Sequence, residues 1–284
     1  MRLVQTDAIV LHAFDYRETS RIVRLSTREH GVVSAVARGA RRTSARFAQG
    51  MDLFTSGVAQ LALHPVRDLH ALNAFDTTHV RPELGHGMAR FMAASALAEA
   101  ALRFAREDES DRVHALLAER LDSLATAPPE SAPWIALRGV WQMVAALGFA
   151  PALTMCASCH RDFAPEVAVT FHHRSGGALC ASCSRAQPGG RQLPPDARVA
   201  LIALLSEALS PDAGYGSLAS LRAHQRLLRE FLEEHVGDGR PLKAFLAWER
   251  HPARLGPAAQ GESAPLASAL EGDERVRPAA SDAS

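Results

Sequence analysis

The chain carries four cysteines, and they stand as two matched pairs, Cys156-Ala157-Ser158-Cys159 and Cys180-Ala181-Ser182-Cys183. No other feature constrains the fold so tightly. Two intervening residues let both sulfurs of a pair turn back toward one point, so two pairs close a tetrahedral four-thiolate cage around one Zn²⁺. Between the pairs Val167, Val169 and Phe171 alternate and Ser175-Gly176-Gly177 offers a turn, the pattern of a small β-ribbon. Few apolar residues lie between the pairs, so such a ribbon is expected to depend on its metal for folding. Four sulfurs also favour a structural site, because catalytic zinc keeps one position open for water. A disulfide framework needs an oxidising compartment, and thioredoxin-like chemistry uses a single pair beside a βαβ pattern. With four thiolates at hand, His160, His172 and His173 are expected on the ribbon surface.

A chain of 284 residues, 47% of them apolar, has material for two domains and a small insertion. Its formal net charge is zero, so nucleic-acid contact must come from local charge. Asp7 interrupts the N-terminus before an apolar run forms, and no window is apolar enough to span a membrane. The expectation is a cytoplasmic, nucleoid-associated protein with no membrane partner, whose thiols stay reduced and open to metal.

Residues 1–80 read as β structure. Ala8-Ile9-Val10-Leu11, Ile22-Val23-Arg24-Leu25, Val32 to Val36, Val58 to Leu63 and Leu69 to Leu72 are five short runs separated by turn signals such as His30-Gly31 and His64-Pro65. Five short strands suit a small barrel, with the five-stranded OB-fold first and an SH3-like barrel second. Between the third and fourth runs, Arg38, Arg41, Arg42 and Arg46 crowd a segment without acids. From Arg17 to Arg46, eight arginines face two glutamates. A guanidinium fork fits a phosphate bidentately, so Arg38, Arg41, Arg42 and Arg46, helped by Arg21 and Arg24, are the expected DNA-backbone contacts. Phe14, Tyr16, Phe47 and Phe54 are candidates for base stacking, against the alternative that they are core.

From Pro82 the period changes to 3.6, giving an all-helical domain over about residues 81–253 with the ribbon inserted at about 154–187. Leu84, Met88, Phe91, Met92 and Ser95 form the first stripe. Val113, Leu116, Leu117, Leu121 and Leu124 form the second, with Ser110 as its cap, and Trp134, Leu137, Trp141 and Val144 the third. After the ribbon, Pro194-Pro195 opens a helix carrying Val199, Ile202, Leu205 and Leu209. Ser217 opens another with Leu218, Leu221, Leu228, Phe231 and Leu232, and Pro241 to Leu246 a last short one. Glu107-Asp108-Glu109 reads as a solvated loop, and Gly214-Tyr215-Gly216-Ser217-Leu218-Ala219 as a turn with an N-cap. Residues 254–284, rich in Ala, Pro, Gly and acid, read as a disordered tail. No phosphate-binding Gly-x-x-x-x-Gly-Lys loop, zinc-protease motif or nucleophile elbow occurs, and nothing assembles a nucleophile, base and orienting group. The chain reads as a binding protein, not an enzyme.

The order of these parts resembles the bacterial recombination mediator and DNA-repair family RecO. The resemblance rests on Ala8 to Leu11 with Tyr16-Arg17-Glu18, on Ser20 to Gly31, and on Arg38-Gly39-Ala40-Arg41-Arg42. Leu147 to Leu153 before Cys156 and Gly176-Gly177 before Cys180 continue it, and Arg240-Pro241-Leu242-Lys243-Ala244-Phe245 closes it, with Ala244 where the family commonly has Ser. It implies an N-terminal OB-fold, a helical C-terminal domain with a structural zinc on Cys156, Cys159, Cys180 and Cys183, and binding to single- and double-stranded DNA. It also implies annealing of complementary strands and help for RecA on DNA coated by single-strand-binding protein (SSB), with RecR and the acidic C-terminal peptide of SSB as partners. An apolar pocket with a cation near Lys243 is expected for that peptide. An RNA-binding or transcription-associated zinc-ribbon adaptor is the alternative of a different class.

Overall fold

Alternation of apolar and polar residues over the first eighty positions becomes a barrel in the computed structural model, which describes residues 1–40, 47, 51–104, 110–206, 217–236 and 240–251. Its strands are β1 (Arg2–Tyr16), β2 (Ser20–Thr27), β3 (Gly31–Ala37), β4 (Ser56–Leu63) and β5 (Leu69–His79). They close in the order β1-β2-β3-β5-β4, antiparallel throughout except for the β3–β5 pair. This is a five-stranded OB-fold. In β3 every second residue is buried (Gly31, Val33, Ala35 and Ala37), as a period of two demands. Val10, Val23, Leu25, Leu61 and Phe75 fill the barrel with them, and Phe47 and Met51 join that core. Phe47 and Phe54 are therefore core residues, which removes them from the stacking candidates.

Strand β1 is buried on both faces from Ala8 to Leu11. Ala8 and Val10 belong to the barrel core, Ile9 and Leu11 to the helical one. A register shift between Val10 and His12 lets the strand then present a solvent face. Arg81 ties this junction. Its guanidinium donates to the Phe54 carbonyl (2.7 Å), the Ser56 hydroxyl (2.9 Å) and Asp122 (2.6 Å). An arginine stripped of water is tolerated there because its donors are satisfied.

The helices are α1 (Met88–Phe104), α2 (Ser110–Thr126), α3 (Ala132–Ala146), α4 (Ala181–Ala186), α5 (Pro195–Leu205), α6 (Leu218–Val236) and α7 (Lys243–Arg250). Helix α3 is buried from Ala132 to Val144 and forms the centre, with Trp134, Leu137, Trp141 and Val144 in place as expected. Helix α2 docks on the barrel through Ser110 Oγ, which donates to the Arg28 carbonyl (2.7 Å), and through His114 Nδ1 beside the Ser26 carbonyl (3.1 Å). Ser217 Oγ accepts from the Ser220 amide (3.2 Å), the expected cap of α6.

Two helix faces differ from expectation. In α1, Met88 and Phe91 are exposed and Leu84 sits in a separate 3-10 turn, while Ala93, Ala94, Ala96, Leu97, Ala98, Ala100 and Ala101 are buried. The physical reason is close approach. A Cβ added at Gly139 of α3 would stand 2.7 Å from Leu97, so only small residues fit where α1 meets α3. In α5 the buried residues are Arg198, Leu201 and Leu204, one position back from the expected Val199, Ile202 and Leu205. Arg198 is drawn inward because it donates to the Ala164 and Pro165 carbonyls (2.6 and 2.8 Å) and lies over the Phe163 ring. Leu209, Glu107 to Glu109, Gly214 to Gly216 and residues 254–284 lie outside the described residues. Among the described residues, no helix is long and apolar enough to cross a membrane.

The ribbon is a three-stranded sheet in the order β7-β6-β8, from β6 (Val169–His172), β7 (Gly177–Leu179) and β8 (Arg191–Leu193). Its third strand lies beyond the expected end at about residue 187, because three residues carry too little periodicity to be read. Its inner face is not short of apolar partners either. Val169, Phe171, Ala178 and Leu193 belong to the helical core, and Phe171 packs edge-on against Phe231 of α6 at 5.9 Å. The ribbon thus takes its core from the helices, and dependence on metal falls on its outer end.

Candidate metal centre and nucleic-acid face

Each cysteine pair sits on a local structure that brings its sulfurs toward those of the other pair. The first is a knuckle. The Cys156 amide donates to the Arg161 carbonyl (2.8 Å), the His160 amide returns to the Cys156 carbonyl (2.9 Å), and His160 takes a positive φ of 58° to close the turn. The knuckle lies on β7 because the Ala178 amide donates to the Ala152 carbonyl (2.7 Å) and the Ala157 amide to the Ala178 carbonyl (2.8 Å). Gly177 permits this approach, since a Cβ there would lie 2.4–2.9 Å from the backbone of Ala152. The second pair stands at the start of α4, with Cys180 in the N-cap position and Cys183 in the first turn.

The four sulfurs lie within 4.8 Å of one another, and Cys159 and Cys180 are 3.8 Å apart. Zn–S bonds of about 2.3 Å set at tetrahedral angles put sulfurs about 3.8 Å apart, the spacing of Cys159 and Cys180, so the donor set is compatible with a zinc ion. The thiols compete for charge. The Ser182 hydroxyl and the Cys183 amide draw Cys180 down to about 6, while Cys183, hydrogen-bonded to that sulfur, is pushed up to about 11. At Cys156 burial opposes ionisation, but the backbone amides of Cys159, Cys180 and Ser158 lower its pKa on balance. Four thiolates in this space need a cation to hold them together.

The three nearby histidines divide. His160 is exposed, but His172 and His173 are not surface residues as expected. His172 is buried against Ser175 Oγ (2.7 Å), and His173 packs on the Phe171 ring with Nε2 3.3 Å from Glu230. His173 belongs to the ribbon's contact with α6.

The barrel presents a different surface. Register places Phe14 of β1, Ile22 of β2 and Val36 of β3 in one row across the sheet, and His12, Arg24 and Ser34 in the next. Val23, Leu25, Ala35 and Ala37 point inward, so both rows lie on the outer face. Phe14 is 45% exposed, with His12 against its ring at 5.6 Å. Tyr16, one step further, carries the Arg17 guanidinium over its ring at 5.2 Å. Where β1 turns into β2 and β3 leaves the sheet, Arg17, Arg21 and Arg38 form a basic rim. Arg38 is exposed, and Arg21 is held by Asp15 at 3.1 Å. Arg24 instead turns toward α1, with Nη2 3.4 Å from the Leu102 carbonyl. Arg41, Arg42 and Arg46 lie outside the described residues. Aromatic rings beside guanidinium groups are side chains of the kind suited to base stacking and phosphate contact.

Near Lys243, the N-terminus of α7 is already filled by an anion. Glu99 of α1 accepts the amides of Lys243 (2.9 Å), Ala244 (2.8 Å) and Phe245 (3.2 Å). Sequence inspection also missed the buried arginines Arg81 and Arg198, for which spacing gives no signal.

Comparison with known proteins gives concordant matches. A family model described as Recombination protein O N terminal matches residues 1–81, and one described as Recombination protein O C terminal matches residues 86–244. The chain is 34% identical over 259 residues to DNA repair protein RecO of Anaeromyxobacter sp. (strain K), covering 87% of this chain and 96% of that protein. It is 30% identical over 285 residues to DNA repair protein RecO of Synechococcus sp. (strain JA-3-3Ab), covering 94% and 93%. To DNA repair protein RecO of Gloeobacter violaceus it is 32% identical over 228 residues, covering 80% and 85%.

Proposed function

The chain belongs to the RecO family, with a role in DNA repair and recombination, and from that premise we propose that it is a non-enzymatic recombination mediator. It binds single- and double-stranded DNA, anneals complementary strands, and with RecR aids RecA loading on SSB-coated DNA, engaging the acidic C-terminal peptide of SSB. The observation that carries this is the outer face of β1–β2–β3, where exposed Phe14 and half-buried Tyr16 lie beside the Arg17, Arg21 and Arg38 rim. Stacking on aromatic rings is worth about 1–3 kcal/mol per base and is indifferent to sequence, as annealing of arbitrary strands requires. Arg41, Arg42 and Arg46, which follow Arg38 in the sequence, are further phosphate contacts of the proposal. Arg24 takes part from the edge of the face.

The working division is a DNA-binding barrel over residues 1–80, a helical domain over 81–253 and a tail over 254–284. Cys156, Cys159, Cys180 and Cys183 would hold one structural Zn²⁺ per chain, whose charge offsets part of the repulsion among four thiolates and pins the knuckle to α4. The place of action is the cytoplasm, at the nucleoid.

The test is annealing of complementary strands coated with SSB, with and without the protein. Acceleration that requires DNA binding but no nucleotide cofactor supports the proposal. No acceleration, or stronger binding to RNA than to DNA of one sequence, sinks it in favour of an RNA-binding adaptor.

A further inference from the structure

Helix α6 carries its charges against the usual order. Arg222 and Arg226 stand in its N-terminal half, and Glu230, Glu233 and Glu234 in its C-terminal half. The helix dipole favours the opposite arrangement. At the acidic end neighbouring cations compensate. Glu230 pairs with Arg191 of β8 (2.7 Å), Glu233 with Arg229 (2.7 Å) and Glu234 with Arg174 (3.5 Å). At the basic end the described residues offer no such answer. Arg222 and Arg226 are both exposed, and like charges four residues apart on a helix repel. Asp196 of α5 acts on buried His224 in the same half of α6, yet it pairs with neither arginine. Among the described residues, no carboxylate makes an ion pair with Arg222, Arg226 or Arg250.

The described chain ends beside this face. Arg229, one turn beyond Arg226, pairs with Glu249 in the last turn of α7 (2.8 Å). That pair brings exposed Arg250, and His251 at the end of the described residues, to the side of α6. The sequence that follows has the opposite charge. Residues 262–274 hold Glu262, Glu271, Asp273 and Glu274 and no basic residue. Reach does not limit the encounter. From Arg229 back to Arg222 is about 10 Å of helix, whereas the stretch from His251 to Glu262 can extend to about 36 Å.

We propose that residues 262–274 of this chain dock on the face of α6 that carries Arg222 and Arg226, with Arg250 beside the point where the tail leaves. Carboxylates of the tail then do for the basic half of the helix what Arg191, Arg229 and Arg174 do for its acidic half. Other anions, nucleic acid included, gain the face only by displacing the tail. The contact is independent of the DNA-binding reading of the barrel, and it is electrostatic, so salt weakens it.

The experiment follows cleavage of the full chain by a glutamate-specific protease, with intact mass reporting the bonds after Glu271 and Glu274. At about 10 mM salt, where charges act over about 30 Å, the wild type is expected to be cut about fivefold more slowly than Arg222→Gln with Arg226→Gln, the order a few exposed ion pairs supply together. At about 1 M salt the two are expected to be cut alike, because the Debye length falls to about 3 Å. Arg222→Lys with Arg226→Lys keeps the charge and is expected to retain the slow cleavage, which separates docking from damage to the fold. Equal rates at low salt in the wild type and the glutamine variant overturn the proposal and leave the face to solvent or to another anion such as DNA. Protection that is lost on dilution of the protein also overturns it, because the tail would then come from a second copy.

Discussion

Replacing Phe171 with alanine is the sharpest test of how the ribbon is held. The ring is fully buried, stands 5.9 Å from Phe231 and 5.2 Å from His173, and belongs to the same core as α3 and α6. Removing it gives up roughly 150 Å² of apolar burial, about 4 kcal/mol at 25 cal/mol per Å², within the 3–5 kcal/mol typical of Phe→Ala. Loss of the edge-to-face contact is part of that figure. A cycle with Phe231→Ala is expected to show a coupling of about 1 kcal/mol. Urea unfolding followed by tryptophan fluorescence suits the question, because Trp134, Trp141 and Trp248 all lie in the helical core. The expected result is a midpoint lowered by most of the domain's stability with an unchanged slope. A loss under about 1 kcal/mol would refute the reasoning, because the ribbon would then be a separate module resting on the helices.

Metal removal should act differently from that substitution. Chelation, or Cys159→Ser with Cys183→Ser, is expected to raise amide exchange in residues 154–163 and 180–186 while the tryptophan-reported core stays folded. Collapse of the whole helical domain on chelation would contradict the placement of Phe171, and absence of one zinc per chain in elemental analysis would contradict the site. Acid should weaken the helical domain through His224, whose burial holds its pKa down to about 4 against an ordinary 6.5, with Asp196 acting the other way. The unfolded chain takes up that proton first as pH falls. The stability His224 supports is therefore complete above about pH 6.5, is lost between 6.5 and 4, and amounts to about 2 kcal/mol by pH 5. His114 and His173 shift in the same direction, both through burial. Urea midpoints at pH 7.5 and 5 for the wild type and His224→Leu check this, and equal pH dependence in the two would count against it.

How much of this was legible in the sequence depended on the kind of signal. The barrel was, because Val23, Leu25, Val33 and Ala35 alternate with polar or exposed positions and a period of two survives without knowledge of partners. The gathering of the four cysteines was, because Cys-x-x-Cys spacing nearly dictates its own geometry. The packed face of α1 was not. Alanines count little in a hydrophobic pattern, and their burial comes from the close approach of α3 at Gly139. The face of α5 was misread by one position because Arg198 looks polar until the carbonyls of Ala164 and Pro165 are placed before it. At the site, composition could not separate Phe14, which is exposed, from Phe54, which is core. Nor could it show Arg24 reaching Leu102, since that contact exists only after barrel and helices meet.

The central claim is that DNA is held on the outer face of β1–β2–β3 by stacking and phosphate contact. The most direct measurement is the affinity of a short oligothymidylate for the wild type, Phe14→Ala and Arg38→Ala, each over a range of salt. The account predicts that Phe14→Ala costs about 1–3 kcal/mol with an unchanged salt slope, and that Arg38→Ala flattens the slope by about 0.7. Wild-type affinity and slope in both variants would place the DNA elsewhere on the protein and contradict it.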